Sequence, residues 1–442
     1  MFHDYAFHEA VNHHTRHYSG TAAAMMSLFA AQARMMGLKD AGDHYEAAGR
    51  VLIYGAKTYD KPAFNISETE IFGEKIAVRE STLHHKPFGD LVRFERDIIR
   101  NDPKILLVAP MSGHYATLLR GTVEALLPYH DVHITDWHNA RNVRREYGRF
   151  DLSDYAAYIK DFIHVMGPDV HVVAVCQSAV PVLAAVSQMA ADNDSLQPLS
   201  MTLMGAPIDP RANPTEVTRF ADKHAVREIE RYAISRVPSN YEGSGRLVYP
   251  GYKQLDAFMS MNMGRHASSP VKMFNHLVAG NTESAEKIGT FYDEYRAVMD
   301  MTAEFFLDTY ETVFRRNALA SGEMVLSDQL VNPGHVRKTA LLTIEGGKDD
   351  ISAAGQTAAA HRLCNNLSPD KKFSFVHPDV GHYGIFEGRR WREDIMPRLA
   401  GFFRKQGVDN HLKYDEIPAD RWHMPTNFRA VNHALTSPTR AP

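Results

Sequence analysis

The feature that most constrains this chain is a series of short apolar runs at 105–109, 132–135, 171–175, 201–204, 340–344 and 373–377. They are too short for buried helices and lack polar alternation, the pattern of strands covered on both faces. Helix-like segments separate several of them, at 115–127, 154–165 and 179–191. Strands alternating with helices predict an α/β fold with a mostly parallel central sheet and right-handed crossovers. Ahead of this series, 75–81 and 90–95 alternate in polarity across a Pro- and Gly-containing connection, as a β-hairpin does.

At 442 residues the chain exceeds one typical domain. Residues 1–60 read as a helical extension, with Gly37 as a helix stop. The alternating pattern fills 61–210, breaks over 211–335 and resumes at 336–410. The break is rich in Met and aromatics, as in LDAFMSMNM (255–263), and reads as an inserted helical cap over the site. A long amphipathic helix is expected at 290–317, and an irregular tail at 411–442.

Residues 21–33 (TAAAMMSLFAAQA) have the apolarity of a secretory h-region. Asp4, Glu9 and a lone Arg16 ahead of them make a poor positive flank, so an amphipathic helix is expected instead. No apolar run reaches the ~20 residues that cross a bilayer. A net charge of −4 gives no general attraction to nucleic acid or anionic membrane. The 24 histidines are scattered. The two cysteines, Cys176 and Cys364, are too few for a disulfide framework and lie in no zinc-like spacing. A reducing compartment is expected, with no cofactor and no metal; a homo-oligomer stays open.

The sharpest local signal is HVVAVCQSAVPVLAAVS (171–187). An apolar strand runs directly into a helix former, with Cys176 at the junction. A nucleophile elbow has this layout: a tight turn that lifts the nucleophile above the sheet. Glycines usually stand two places before and after; here those places hold Ala174 and Ser178. The following helix would aim its N-terminal dipole at the sulfur. The bland alternative is a buried structural cysteine, which is how Cys364, in the helix-like run 358–367, is read.

Two later strand ends complete a set. ALLTIEGGKDD (340–350) ends in a glycine turn followed by acids. Asp349 has the usual spacing from Gly346 for an orienting acid, whereas Asp350 could cap a helix starting near Ser352. FSFVHPDVGHYGI (373–385) carries His382 in a glycine-flanked loop past the last strand; His377, inside the strand, is the weaker choice. Nucleophile, acid and histidine in this chain order match the α/β-hydrolase arrangement. The oxyanion hole would take one amide from Gln177 and another from the loop APMSGHYATLL (109–119), at Met111 or Ser112.

Beyond these pieces, the chain resembles the bacterial intracellular polyhydroxybutyrate depolymerases, which are cysteine-dependent α/β-hydrolases. VCQSAVPVLAAVSQMA (175–190), TLMGAPIDPRANPT (202–215), VYPGYKQLDAFMSMN (248–262), EGGKDDISAAGQT (345–357), GHYGIFEGRRWREDIMP (381–397) and DWHNAR (136–141) carry the likeness. It covers most of the chain from about residue 50. The family tends to have Pro or Thr in place of the pair Ser178-Ala179. The resemblance implies Cys176, Asp349 and His382 as triad, and a poly(3-hydroxybutyrate) substrate in the cytoplasm at storage granules. Tyr252, Phe258, Met261 and Tyr383 are then expected to contact the ester chain. The rival readings are a polyester-synthase-like acyltransferase, a small-ester or thioester hydrolase, and an inactive granule protein.

Overall fold

The computed structural model describes residues 4–57, 60–261 and 263–407; the side chains of 258, 261 and 263–267 fall outside that description, as does the expected tail at 411–442. Nine strands make the main sheet: β1 Glu68–Ile71, β2 Glu74–Lys86, β3 Gly89–Arg96, β4 Lys104–Val108, β5 Asp131–Trp137, β6 Val170–Val175, β7 Ser200–Met204, β8 Ala340–Gly346 and β9 Lys372–His377. Their order is β1-β2-β3-β5-β4-β6-β7-β8-β9. The first three pair antiparallel, β3 meets β5 antiparallel, and all pairs from β5 to β9 are parallel. This is the α/β-hydrolase order. Every expected parallel strand is present, and β6, β7 and β8 are buried throughout, as their unbroken apolar runs require.

After β4 the chain crosses to β5 on one side, and after β5 it returns to β6 on the other. Such a reversal opens a crevice beyond the carboxyl ends of the flanking strands. The loops after β4 and β6 therefore face each other there.

The N-terminal extension is a helical hairpin, α1 Asp4–Met35 and α2 Lys39–Ala56, turned at Gly37 with φ +75°. Ala23, Ala30, Ala33 and Ala47 are buried, so small residues let the two helices approach closely. Residues 21–33 thus form part of one continuous amphipathic helix. In the core, α3 Arg120–Leu126, α4 Leu152–Met166 and α5 Ala179–Ala191 follow their strands. A 3-10 turn, Ala116–Leu119, precedes α3 where a single helix over 115–127 was expected.

Between β7 and β8 lies the insertion, with α6 Glu216–Lys223, α7 Val226–Ala233, α8 Gly251–Met261, α9 Met263–Val278, α10 Thr282–Tyr295 and α11 Ala303–Thr309. The long helix expected over 290–317 does not form. It breaks after Tyr295, passes through an extended stretch with the short strand Met301–Thr302, and resumes at α11. The break is stabilised by bonds a helix could not make. Met299 N–H donates to Gly113 O at 2.6 Å, and Asp300 N–H donates to Asn139 Oδ1 at 3.2 Å. The buried Asp300 carboxylate in turn accepts from Tyr5 Oη of α1 (2.6 Å) and Gly251 N–H of α8 (2.8 Å). One acid thus ties the extension, the insertion and the core together. Among the described residues, no helix is long and apolar enough to cross a membrane.

Candidate active site

Cys176 sits where the topology places a nucleophile, between the end of β6 and the start of α5. Its φ is +57°, a left-handed conformation that a non-glycine residue adopts only at a cost. Residues Cys176–Ser178 form a single 3-10 turn, and the buried Ser178 hydroxyl donates to Val175 O (2.8 Å) and Val108 O (3.0 Å). The serine therefore ties the turn to the neighbouring strand β4, a local use for a side chain where the usual motif has glycine. Cys176 itself is half-exposed.

The structure puts His382 Nδ1 2.8 Å from Asp349 Oδ2, with both residues buried. The other oxygen, Oδ1, accepts the N–H groups of Ile351 (2.9 Å) and Ser352 (2.8 Å), which orients the carboxylate. The helix expected near Ser352 is replaced by turns, and Asp350 is exposed. The capping role considered for Asp350 thus falls away, because Asp349 takes both amides. His377 pairs with Asp394 (3.0 Å) instead. Burial opposes charge on the His382 ring, but the Cys176 sulfur and the Asp349 carboxylate outweigh it and raise its pKa to about 10. Cys176 is thus a hydrogen-bond partner of the ring. Cys364 is fully buried, and burial pushes its thiol up to about 12, so it is inert at neutral pH.

Glycine makes this meeting possible at two points. At Gly346 and Gly347 a Cβ would come within 2.7 Å of Val380 O and 2.9 Å of Pro378 O, so the acid loop and the histidine loop cross only because neither has a side chain. Gly205, at the end of β7 with φ +55°, leaves room for the pair itself: a Cβ there would lie 3.3 Å from His382 Cε1 and 3.4 Å from Asp349 Oδ2.

The loop after β4 carries Met111, buried, and Ser112, half-exposed. Both of its ends are held. Ala109 O accepts from Trp137 Nε1 (2.8 Å) and Tyr155 Oη (2.9 Å), while Ala109 N–H donates to Thr135 Oγ1 (2.9 Å). At the far end, Gly113 O accepts from Met299 and His114 bridges Val298 of the insertion. Gln177 is the second residue of the 3-10 turn, in the first turn where a helix leaves its amides without internal partners. The loop after β4 and the turn at Cys176–Ser178 are thus both held in place.

Of the residues expected to touch substrate, Tyr383 stands beside His382, with ring centroids 5.8 Å apart, and its ring lies 6.4 Å from Tyr295 of the insertion. The Tyr252 ring is stacked on His8 of α1 at 3.6 Å and set edge-on to Tyr5 at 5.7 Å, so it serves to hold the extension. The side chains of Phe258 and Met261 lie outside the described residues. Much of the aromatic content of the insertion is core: Phe305 is buried and stacks on Tyr155 at 5.4 Å. Sequence reasoning missed Gly205 and the supporting role of Trp137, Asn139 and Tyr155. The first stands directly after an expected strand. Trp137 and Asn139 lie in the quoted DWHNAR stretch, which gave no geometric hint.

Residues 205–407 match the family model described as PHB de-polymerase C-terminus. A search of curated proteins finds no match. Among solved structures, the chain is similar to a thermophilic esterase from Thermogutta terrifontis, at 13% identity and TM-score 0.39 over 78% of this chain and 98% of that one. It is also similar to 2-hydroxy-6-oxo-6-phenylhexa-2,4-dienoate hydrolase from Rhodococcus sp. strain RHA1, at 13% identity and TM-score 0.38 over 74% and 99%. A third is the meta-cleavage product hydrolase from Pseudomonas fluorescens IP01, at 14% identity and TM-score 0.39 over 76% and 97%. The fold assignment rests on the strand order above, not on these likenesses.

Proposed function

We propose, for a chain whose residues 205–407 belong to the PHB depolymerase family, that Cys176, His382 and Asp349 cleave the ester bonds of amorphous poly(3-hydroxybutyrate) through a thioester. The chain is a carboxylic ester hydrolase on that family assignment; the nucleophile, the polymer's state and the site of action in the cytoplasm at storage granules are the proposal. The observation that carries it is the convergence of a left-handed Cys176 on a strand–helix turn with a buried His382 held by Asp349 at 2.8 Å.

His382 spends Nδ1 on Asp349, which leaves Nε2 for the thiol proton. Asp349 keeps the tautomer and stabilises the imidazolium. The sulfur attacks the ester carbonyl carbon, and the carbonyl π pair moves onto oxygen. Amides of Gln177 and of Met111 or Ser112 would take that oxyanion. Collapse of the adduct breaks the ester C–O bond, and His382 returns its proton to the departing alkoxide. Water, deprotonated by His382, then attacks the thioester; the acid leaves and the thiol is restored. Tyr383, half-exposed between His382 and the insertion, is suited to lie along the ester chain.

The discriminating experiment offers the protein amorphous poly(3-hydroxybutyrate) and, separately, 3-hydroxybutyryl-CoA. Soluble 3-hydroxybutyrate or short oligomers released from the polymer support the reading. Polymer formed from the CoA ester would replace it with a synthase, and turnover of small esters alone would replace it with a general esterase.

A further inference from the structure

We propose a transition-metal site formed by His85, Asp90 and His138, separate from the triad. His85 and Asp90 stand directly opposite each other on the β2–β3 hairpin. His138 follows β5, which pairs with the other side of β3 where Asp90 faces Asp136. One carboxylate thus lies between two imidazoles: Asp90 Oδ1 is 2.7 Å from His85 Nδ1, and Oδ2 is 3.2 Å from His138 Nε2. The three donor atoms lie within 4.8 Å of one another, and no other such group of His, Cys, Asp or Glu occurs among the described residues.

The hydrogen bonding of His138 points to a cation. Its Nδ1 lies 3.0 Å from Pro87 O, and a carbonyl can only accept, so Nδ1 carries hydrogen. In the neutral ring Nε2 then directs a lone pair at a carboxylate oxygen, so two acceptors face each other. Only a cation between them resolves this: a proton on Nε2, or a metal shared by Nε2 and Asp90. A metal-binding histidine that donates its other N–H to a backbone carbonyl is the usual supporting arrangement. His85 is mostly exposed, so its ring is free to turn toward the ion.

Two imidazole nitrogens and a carboxylate suit Zn²⁺, Co²⁺ or Ni²⁺ and leave coordination positions open. Those positions have somewhere to face. A cavity of about 560 Å³ is lined by His85 and His138 together with Lys61, Tyr115, Arg144 and Glu242, and by none of the triad residues. Nearby charges are already matched: Lys61 pairs with Asp136, and Arg144 with Glu146 and Glu242. The cation available to Asp90 is therefore a proton on one of its two imidazole partners or a metal held with them.

Calorimetric titration of the full chain with Zn²⁺ tests this, with Co²⁺ absorption as a second readout of coordination. The expected result is one site whose binding releases protons near neutral pH, as the metal displaces hydrogen from His138. His138→Gln should abolish that site. His85→Gln, at an exposed position that cannot unfold the sheet, should weaken it by about tenfold or more. A His13→Gln/His17→Gln control on the exposed face of α1 should leave it intact. No Zn²⁺ binding by the wild type, or unchanged affinity and stoichiometry in both His138→Gln and His85→Gln, would overturn the proposal. Ester hydrolysis is not the readout, so the outcome does not depend on the triad.

Discussion

Replacing Gly205 with alanine probes how closely the hydrogen-bonded pair is held. The new Cβ would lie 3.1 Å from Ile385 Cδ1, 3.3 Å from His382 Cε1 and 3.4 Å from Asp349 Oδ2. The Ile385 methyl can rotate aside. His382 and Asp349 are buried and joined at 2.8 Å, so they can yield only by moving together, by a few tenths of an ångström. The backbone also resists: φ at 205 is +55°, and holding an L-residue there costs roughly 1–2 kcal/mol. If a 1 Å misplacement costs about 100-fold in rate, a few tenths should cost about 5- to 10-fold in kcat. The assays are turnover of a soluble p-nitrophenyl ester and thermal unfolding of the same preparations. Both kcat and Tm should fall, with Tm down by about 1–2 °C for a chain of 442 residues. A full kcat alongside a lowered Tm would show that the position of the pair does not govern catalysis.

Asp349→Asn should leave the fold intact by circular dichroism and lower kcat by about 10³- to 10⁴-fold, because an amide cannot hold the histidine tautomer or balance its charge; a loss below tenfold would remove Asp349 from the machinery. Cys176→Ala takes away the sulfur that helps lift His382 to about 10, while burial still opposes protonation. The ring should therefore titrate lower in the variant, as NMR of the imidazole protons can measure, and an unchanged value would mean that Cys176 and His382 are not paired.

What the sequence discloses follows from how local each signal is. Strands β4, β6, β7 and β8 were legible because burial on both faces leaves nearly unbroken apolar runs, whereas the edge strand β9 is only half-buried and was legible from its Phe and Val residues. The strand–helix turn at Cys176 and the pairing of Asp349 with His382 were legible because each residue stands at or just past the end of such a strand. The break in the helix at 290–317 was not, since the residues that stabilise it, Gly113 and Asn139, lie far away in the chain. Periodicity at 290–317 reports one apolar face and cannot report partners that compensate for lost helical bonds. The packing of Tyr252 was hidden for a related reason. The resemblance implies a contact with the ester chain, whereas the stacking of its ring on His8 of α1 joins positions more than half the chain apart. Gly205 reads as an ordinary strand-ending glycine until the two loops it accommodates are known.

The most direct test of the account is release of soluble 3-hydroxybutyrate from amorphous poly(3-hydroxybutyrate), compared between wild type and Cys176→Ala. The account predicts release by the wild type and none above background by a variant that melts cooperatively like its parent. Equal release by both would contradict the cysteine mechanism and require another nucleophile.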